Sequence, residues 1–170
     1  MSSYAGSFLV ARPTLRDPNF ARTVVLLLAH GAEGAFGLVV NRAAKVEGLP
    51  WPVFAGGPCP SPGLVMLHGH EEWAQEQAEG SEENAVRELG EGIYVGNASS
   101  LEKAVDSEEE GLRFRVFTGY AGWGPGQLEG EMALGTWAVT PATAELLFDT
   151  PAEELWDRLA PPRIPEPSVN

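Results

Sequence analysis

The sequence predicts an α+β domain: mainly antiparallel or mixed sheet flanked by a few helices. Three observations predict it. Short apolar or alternating runs, the pattern of strands, dominate the chain and follow one another closely. Signals for helix starts gather late in the chain. Strand and helix patterns do not alternate regularly, which disfavours a doubly wound parallel sheet. The chain has 170 residues, 44% of them hydrophobic, which suits one domain. A chain of this length buries roughly 70% of its unfolded surface and needs no metal or disulfide to hold a core. That domain is expected over residues 1–160, followed by a Pro-rich tail over 161–170.

Ser7–Ala11 and Thr23–Ala29 read as strands, the second an unbroken apolar run of the kind buried on both faces. Between them, Arg16-Asp17-Pro18-Asn19-Phe20 is a turn cluster with Pro preset for the bend. His30–Gly34 is the next turn and Phe36–Val40 a third strand, close enough to form an antiparallel hairpin. Pro50–Pro62 is expected to be mostly irregular, and Leu64–His68 to be a strand. Glu71–Glu91 holds eight acids and one Arg, and reads as a solvated helix and loop. Ile93–Gly96 is a short strand, and Asn97 or Ser99 caps a helix through Ala104. Glu108–Glu110 is an acidic turn.

Arg113–Thr118 alternates, with Phe114 and Val116 on one side and Arg113 and Arg115 on the other. A glycine–aromatic turn, Gly119–Gly126, follows. Pro125 stands where a helix begins and Gly135 where it ends. Thr136–Val139 is the last strand. Two helix starts follow. Thr140 precedes Pro141, and Thr150 precedes Pro151 with Glu153 placed to complete a capping box. The tail from Pro161 is expected to fray.

The segment Gly119-Tyr120-Ala121-Gly122-Trp123, followed by Gly126-Gln127-Leu128-Glu129 and Trp137, resembles the YqgE/AlgH family of bacterial proteins. The resemblance includes Gly6–Ala11, Asp17 with Phe20, Thr23–Leu27, Gly34–Arg42 and Gly56-Gly57-Pro58, so it runs through nearly the whole chain. It implies an α+β fold of bent and bifurcated sheets, without an agreed activity. The AlgH name also carries a suggested role in transcriptional regulation, although no DNA-binding module is recognisable here. Cys59 departs from the family, standing where an aliphatic residue is usual. The acidic stretch Glu71–Glu91 looks longer and more charged than usual.

Charge narrows the function classes. The net charge is −13, yet residues 1–45 carry +3, from Arg12, Arg16, Arg22, Arg42 and Lys45 against Asp17 and Glu33. A field dominated by carboxylates repels a polyanion, so nucleic-acid binding by the whole domain is disfavoured. The basic first third still suits a small anionic ligand. No apolar run is long enough to span a bilayer, and Met1–Gly6 does not resemble a signal peptide. With a single cysteine, a cytoplasmic location is expected.

Candidate ligand-binding residues fall in two sets. Asp17, Arg22, His30, Asn41 and Arg42 lie in the basic third, and all but Arg22 sit at expected strand ends, where Arg42 could grip a carboxylate or phosphate and Asp17 and His30 could exchange a proton. Against this stands ordinary turn chemistry, with Asn41-Arg42 closing a hairpin strand. Gly122, Trp123, Gly124 and Gln127 belong to the glycine turn, whose backbone N–H groups could cradle an anion. The spacing lacks the third glycine of a dinucleotide fingerprint, no Gly-Lys-Ser/Thr follows, and Glu129 and Glu131 oppose phosphate. His68-Gly69-His70 has no third ligand at metal-binding spacing. Cys59, between two prolines, has no visible base and reads as structural.

No catalytic residue, metal or cofactor is expected. The leading expectation is a non-enzymatic binding or regulatory protein acting through protein contacts. The alternative is a binder or hydrolase of a small anionic, nucleotide-like ligand. Transcriptional regulation is third.

Overall fold

A computed structural model describes residues 4–15, 17–18, 20–44, 53–74, 88–96 and 113–160. The two apolar runs form β1 (Ser7–Ala11) and β2 (Val24–Gly31), paired antiparallel with Leu9 opposite Val25. The turn at Ala32–Glu33 returns the chain as β3 (Gly34–Val39), which completes the expected hairpin. Val24–Leu28 are buried because each face of β2 meets a different core. Such a strand cannot show the alternation of a half-solvated one.

Next come β4 (Val53–Ala55), β5 (Cys59–His68), β6 (Glu88–Leu89), β7 (Ile93–Val95) and β8 (Phe114–Trp123). Then follow α1 (Gln127–Ala133), β9 (Trp137–Pro141), α2 (Ala144–Phe148) and α3 (Ala152–Leu159). The strand order is β6-β7-β5-β8-β3-β2-β1-β9, and β4 lies parallel beside β8. All the other strand pairs are antiparallel.

The sheet forks on β8. Val116–Thr118 pair with β4 and with β5, whereas Ala121–Trp123 pair with β3. Gly119, at φ 78°, marks the changeover. A Cβ there would lie 2.8 Å from the Gly57 carbonyl oxygen, and one on Gly56 would lie 2.4 Å from the Gly119 carbonyl oxygen. Backbone meets backbone at the fork, so only glycine fits. Gly56-Gly57 and Gly119 are thus two halves of one close contact.

The sheet also curls until its ends meet. Glu91 N–H donates to the Ala142 carbonyl (2.9 Å) and Ala144 N–H donates to the Glu91 carbonyl (2.8 Å). This joins the β6–β7 turn to the residues after β9. Inside the curl lies the largest core, with Phe8, Leu26, Leu38, Leu67, Ile93 and Phe117 fully buried. The short helices α2 and α3 cover it with Leu147, Phe148 and Leu155. On the other face, α1 buries Leu128 against Leu9, Leu27, Trp123 and Trp137.

Several local expectations are corrected. The stretch expected to be irregular contains β4 and the start of β5. Its register shifts between Cys59 and Leu64, across Pro60 and Pro62, the kind of irregularity at which a strand tolerates proline. Glu88–Leu89 is a strand, because a glycine-rich turn at residues 90–92 pairs it with β7. The glycine–aromatic segment is strand as far as Trp123, and the strand-to-helix turn is only Gly124-Pro125-Gly126. The helix begins at Gln127, two residues beyond Pro125, and Gly135, at φ 74°, follows its end as expected.

Pro141 ends β9 rather than opening a helix. Thr143 caps α2 instead, its hydroxyl accepting the Leu146 N–H at 3.1 Å. Before α3, Thr150 forms no cap. It is buried, and its hydroxyl accepts from Arg158 at 3.3 Å. Arg115 is half-buried: its guanidinium lies near the rings of Phe54 (5.8 Å) and Phe148 (5.9 Å) and donates to two backbone carbonyls. The helix from Asn97 or Ser99, the turn Glu108–Glu110, the tail and most of Glu71–Glu91 lie outside the described residues, although residues 71–74 are helical.

Candidate functional site

The candidate residues gather at opposite ends of β2, roughly 20 Å apart for a strand of this length, and His30 parts from the rest of its set to join the residues of the glycine turn. Asn41, just past β3, takes a strand's place beside the start of β2. Its Oδ1 accepts the Val24 N–H (2.9 Å) and its Nδ2 donates to the Arg22 carbonyl (2.9 Å). Arg42 donates to the Ala21 carbonyl (2.9 Å). Arg22 has a left-handed backbone, φ 59°, and its guanidinium lies 5.5 Å from the Trp156 ring. A non-glycine residue in that region costs about 1–2 kcal/mol, which the Asn41 and Trp156 contacts offset. Asp17 starts the same connection, with its carbonyl accepting the N–H groups of Phe20 and Ala21.

The other end of β2 carries His30, whose side chain is 1% exposed. Its Nδ1 accepts the Tyr4 N–H (3.1 Å), so the neutral ring carries its proton on Nε2, which donates to Glu129 Oε1 at 3.2 Å. Tyr4 stacks on the imidazole, with centroids 5.5 Å apart. The hydrogen bond from His30, then one from the backbone, lowers the Glu129 pKa below the ordinary value of 4.5. Glu129 is on the first turn of α1, so the histidine joins the hairpin to the helix.

Beside it, Glu131 gathers the aromatic side chains. Its Oε1 accepts the indole N–H of Trp123 (3.1 Å) and of Trp137 (2.8 Å), and its Oε2 accepts from Gln127 (3.3 Å). Phe20 packs on both indoles, 6.1 Å from Trp123 and 5.8 Å from Trp137. Gln127 Oε1 accepts the Gly124 N–H at 2.9 Å. That N–H is therefore engaged by the helix that follows. Gly122 pairs with Phe36 in the ladder.

The structure therefore brings His30, Trp123, Gly124 and Gln127 to one corner, and Arg22, Asn41 and Arg42 to another. Sequence reasoning missed Glu131 as the acceptor of two indoles, and Glu129 as the partner of His30. Gln127 and Glu131, four residues apart on a helix face, were the available signal. A shallow cleft of about 580 Å³ opens between the β2–β3 hairpin and Trp123, lined by His30, Glu33 and Phe36 among others.

The His68-Gly69-His70 pair is tied in similarly. His68 is fully buried and its Nδ1 accepts the His70 N–H (3.1 Å), while His70 Nε2 accepts the Arg113 N–H (3.0 Å). The His70 ring lies 4.1 Å from that of Trp73. Among the described residues, no group of three or more His, Cys, Asp or Glu is placed to hold a metal ion. Cys59 is half-buried and stands opposite Tyr120 in the ladder. No helix among the described residues is long and apolar enough to cross a membrane.

Comparison with known proteins gives a consistent set of relatives. A family model described as AlgH-like matches residues 8–162. A UPF0301 protein of Nitrosococcus oceani is 32% identical over 94% of this chain and 89% of its own length. One from Burkholderia vietnamiensis is 34% identical over 88% of this chain and 83% of its own. Among solved structures, the AlgH protein of Pseudomonas aeruginosa superposes with a TM-score of 0.66 at 30% identity, covering 93% of this chain and 89% of that one. A protein of Corynebacterium diphtheriae superposes with a TM-score of 0.71 at 24% identity, over 93% of this chain and 86% of that one, a likeness of fold alone.

Proposed function

The chain belongs to the AlgH-like family, and on that footing we propose that it is a non-catalytic binding protein that acts through contacts with a protein partner. One observation carries this reading: the polar side chains that suggested chemistry are used to hold the fold. Both nitrogens of His30 are bonded to the protein, as are both functional atoms of Asn41 and of Gln127. A general base needs a free lone pair within reach of substrate, and a buried imidazole whose Nδ1 already accepts a backbone N–H does not offer one there.

Apolar surface supports the same reading. Phe36 is 36% exposed and Leu64 is 43% exposed, on strands that flank β8. A small anionic ligand has less behind it, since Arg42 bonds the Ala21 carbonyl and Arg22 lies over Trp156. Transcriptional regulation by direct DNA contact is opposed by the net charge of −13. A cytoplasmic location is part of the proposal, supported by the single cysteine.

The test is photo-crosslinking in cells that naturally express the protein, with a photoreactive residue placed singly at Leu64, Leu134, Glu145 and Glu153, which are exposed on different elements. A reproducible adduct with one protein at a subset of positions is expected. Absence of any protein adduct at every position, or turnover of a nucleotide that disappears in His30→Gln, would overturn the reading.

A further inference from the structure

The curl closes only past the end of β9, where Glu91 meets Ala142 and Ala144. Among the described residues β9 itself pairs with β1 alone, so its other side is an edge. Register fixes which backbone groups lie along that edge. Ala11 stands opposite Trp137 and Ser7 opposite Pro141, and the Arg12 N–H donates to the Thr136 carbonyl at 3.1 Å. On its other side β1 uses the alternate residues, with the Ala11 N–H donating to the Thr23 carbonyl at 2.9 Å. Antiparallel ladders alternate bonded and non-bonded pairs. Thr136, Ala138 and Thr140 therefore direct their backbone groups toward β1, while Trp137, Val139 and Pro141 direct theirs outward.

Exposed edges are commonly blunted by lysine, a bulge or proline. This one has proline only at its last residue, and residues 132–144 include no charged side chain. Apolar side chains stand beside it, with Leu134 84% exposed and Val139 38% exposed.

We propose that β9 pairs antiparallel with β9 of a second copy of this chain, about a two-fold axis at Ala138. The backbone complements itself in that register. Trp137 of each copy faces Val139 of the other, and each such pair exchanges two hydrogen bonds. Pro141, which has no N–H, falls opposite Gly135, whose own N–H is taken by the Met132 carbonyl (3.1 Å). An axis at Val139 would instead set Pro141 opposite Trp137 and leave the Trp137 carbonyl without a donor.

Side chains and length fit the same register. Trp137 aligns with Val139, Thr136 with Thr140 and the small Ala138 with itself. Aromatic–β-branched and Thr–Thr neighbours stabilise adjacent strands. The paired span, residues 135–141, is bounded by the end of α1 and by the Glu91 N–H on the Ala142 carbonyl. Two chains of net charge −13 repel each other, and this pairing brings no charged side chain of β9 against another.

A pairing confined to one short strand is at the weak end of protein interfaces, so monomer and dimer should exchange as concentration changes. Sedimentation of the full chain over a concentration series reads this directly. Amide exchange at Trp137 and Val139 should slow at least about fivefold where the dimer dominates, with Ala138 and Thr140, already bonded to β1, changing little. Val139→Lys places a charge at an exposed edge position, and Val139→Pro removes only an outward N–H. Each should weaken dimerisation at least about tenfold. Urea unfolding checks that both variants fold; if Val139→Pro does not, Val139→Lys decides.

A chain that stays monomeric throughout the series overturns the proposal. So does a dimer that survives in Val139→Lys, or one that leaves the Trp137 and Val139 amides unprotected, because the copies then meet elsewhere. Protection of those amides only by a different protein assigns the edge to that protein and overturns self-pairing. Each of these results leaves the reading of a protein partner standing, which the cross-linking decides.

Discussion

Replacing Glu131 removes the acceptor of two indole N–H groups at once. Trp123 is 6% exposed and Trp137 is 2% exposed, so water does not readily take the place of the carboxylate. Glu131→Ala is expected to cost about 2–4 kcal/mol and Glu131→Gln, which keeps an acceptor, about 1 kcal/mol. Urea unfolding at constant m-value measures both. Glu129 acts through pH. Its folded pKa is lowered below 4.5, first by the His30 hydrogen bond. Its contribution is therefore present above that ordinary value and is lost as pH falls through the lowered one. Stability of the wild type relative to Glu129→Gln should hold steady from about pH 7 to pH 5 and shrink toward pH 3. A difference that stays flat to low pH would rule this out. Residue types marked His30, Asn41 and Arg42 as polar groups at strand ends, but not their partners. Those partners are backbone groups and one carboxylate, Glu129, distant in sequence and brought near by the hairpin and by α1.

Among the elements, β8 was half legible. The alternation of Arg113–Thr118 announced a strand, but the four glycines after it looked like a turn. Backbone pairing with β3 keeps that stretch extended as far as Trp123, and Gly119 accommodates the change of partner. Gly119→Ala must place a Cβ 2.8 Å from the Gly57 carbonyl oxygen at φ 78°. It is expected to destabilise by roughly 2–4 kcal/mol. Gly130, inside α1, serves as the contrast, since a Cβ added there would meet nothing within 4 Å. Gly130→Ala should stabilise by about 0.5–1 kcal/mol. Thermal and urea unfolding of the two variants should move in opposite directions. Helix ends were read with mixed success for a related reason. A Thr-Pro pair permits a helix start, but Thr140 was already committed to β9, opposite Phe8, and Thr150 was buried against Arg158.

At the scale of the whole molecule, closure of the curl depends on a seam between distant glycines and backbone. A Cβ on Gly90 would lie 2.3 Å from the Ala142 carbonyl oxygen and 2.7 Å from that of Gly6, and Gly90 has φ 61°. Gly90→Ala is expected to part this seam locally. Amide exchange at Glu91 and Ala144, whose N–H groups cross it, should then quicken at least about tenfold relative to those of β2. Unchanged exchange would mean that the seam does not hold the ends together. The sequence by itself determined the α+β class, the β1–β3 strands, the end of α1 at Gly135 and the family, because hydrophobic period, turn chemistry and a long glycine–aromatic motif are local properties. Only the tertiary structure decided where the Gly119 segment leads, which carboxylate holds which aromatic, that the candidate residues form two corners, and that β9 keeps an edge. Each of these depends on which backbone comes within hydrogen-bond reach of which, and strand order sets that through contacts between residues far apart in the chain.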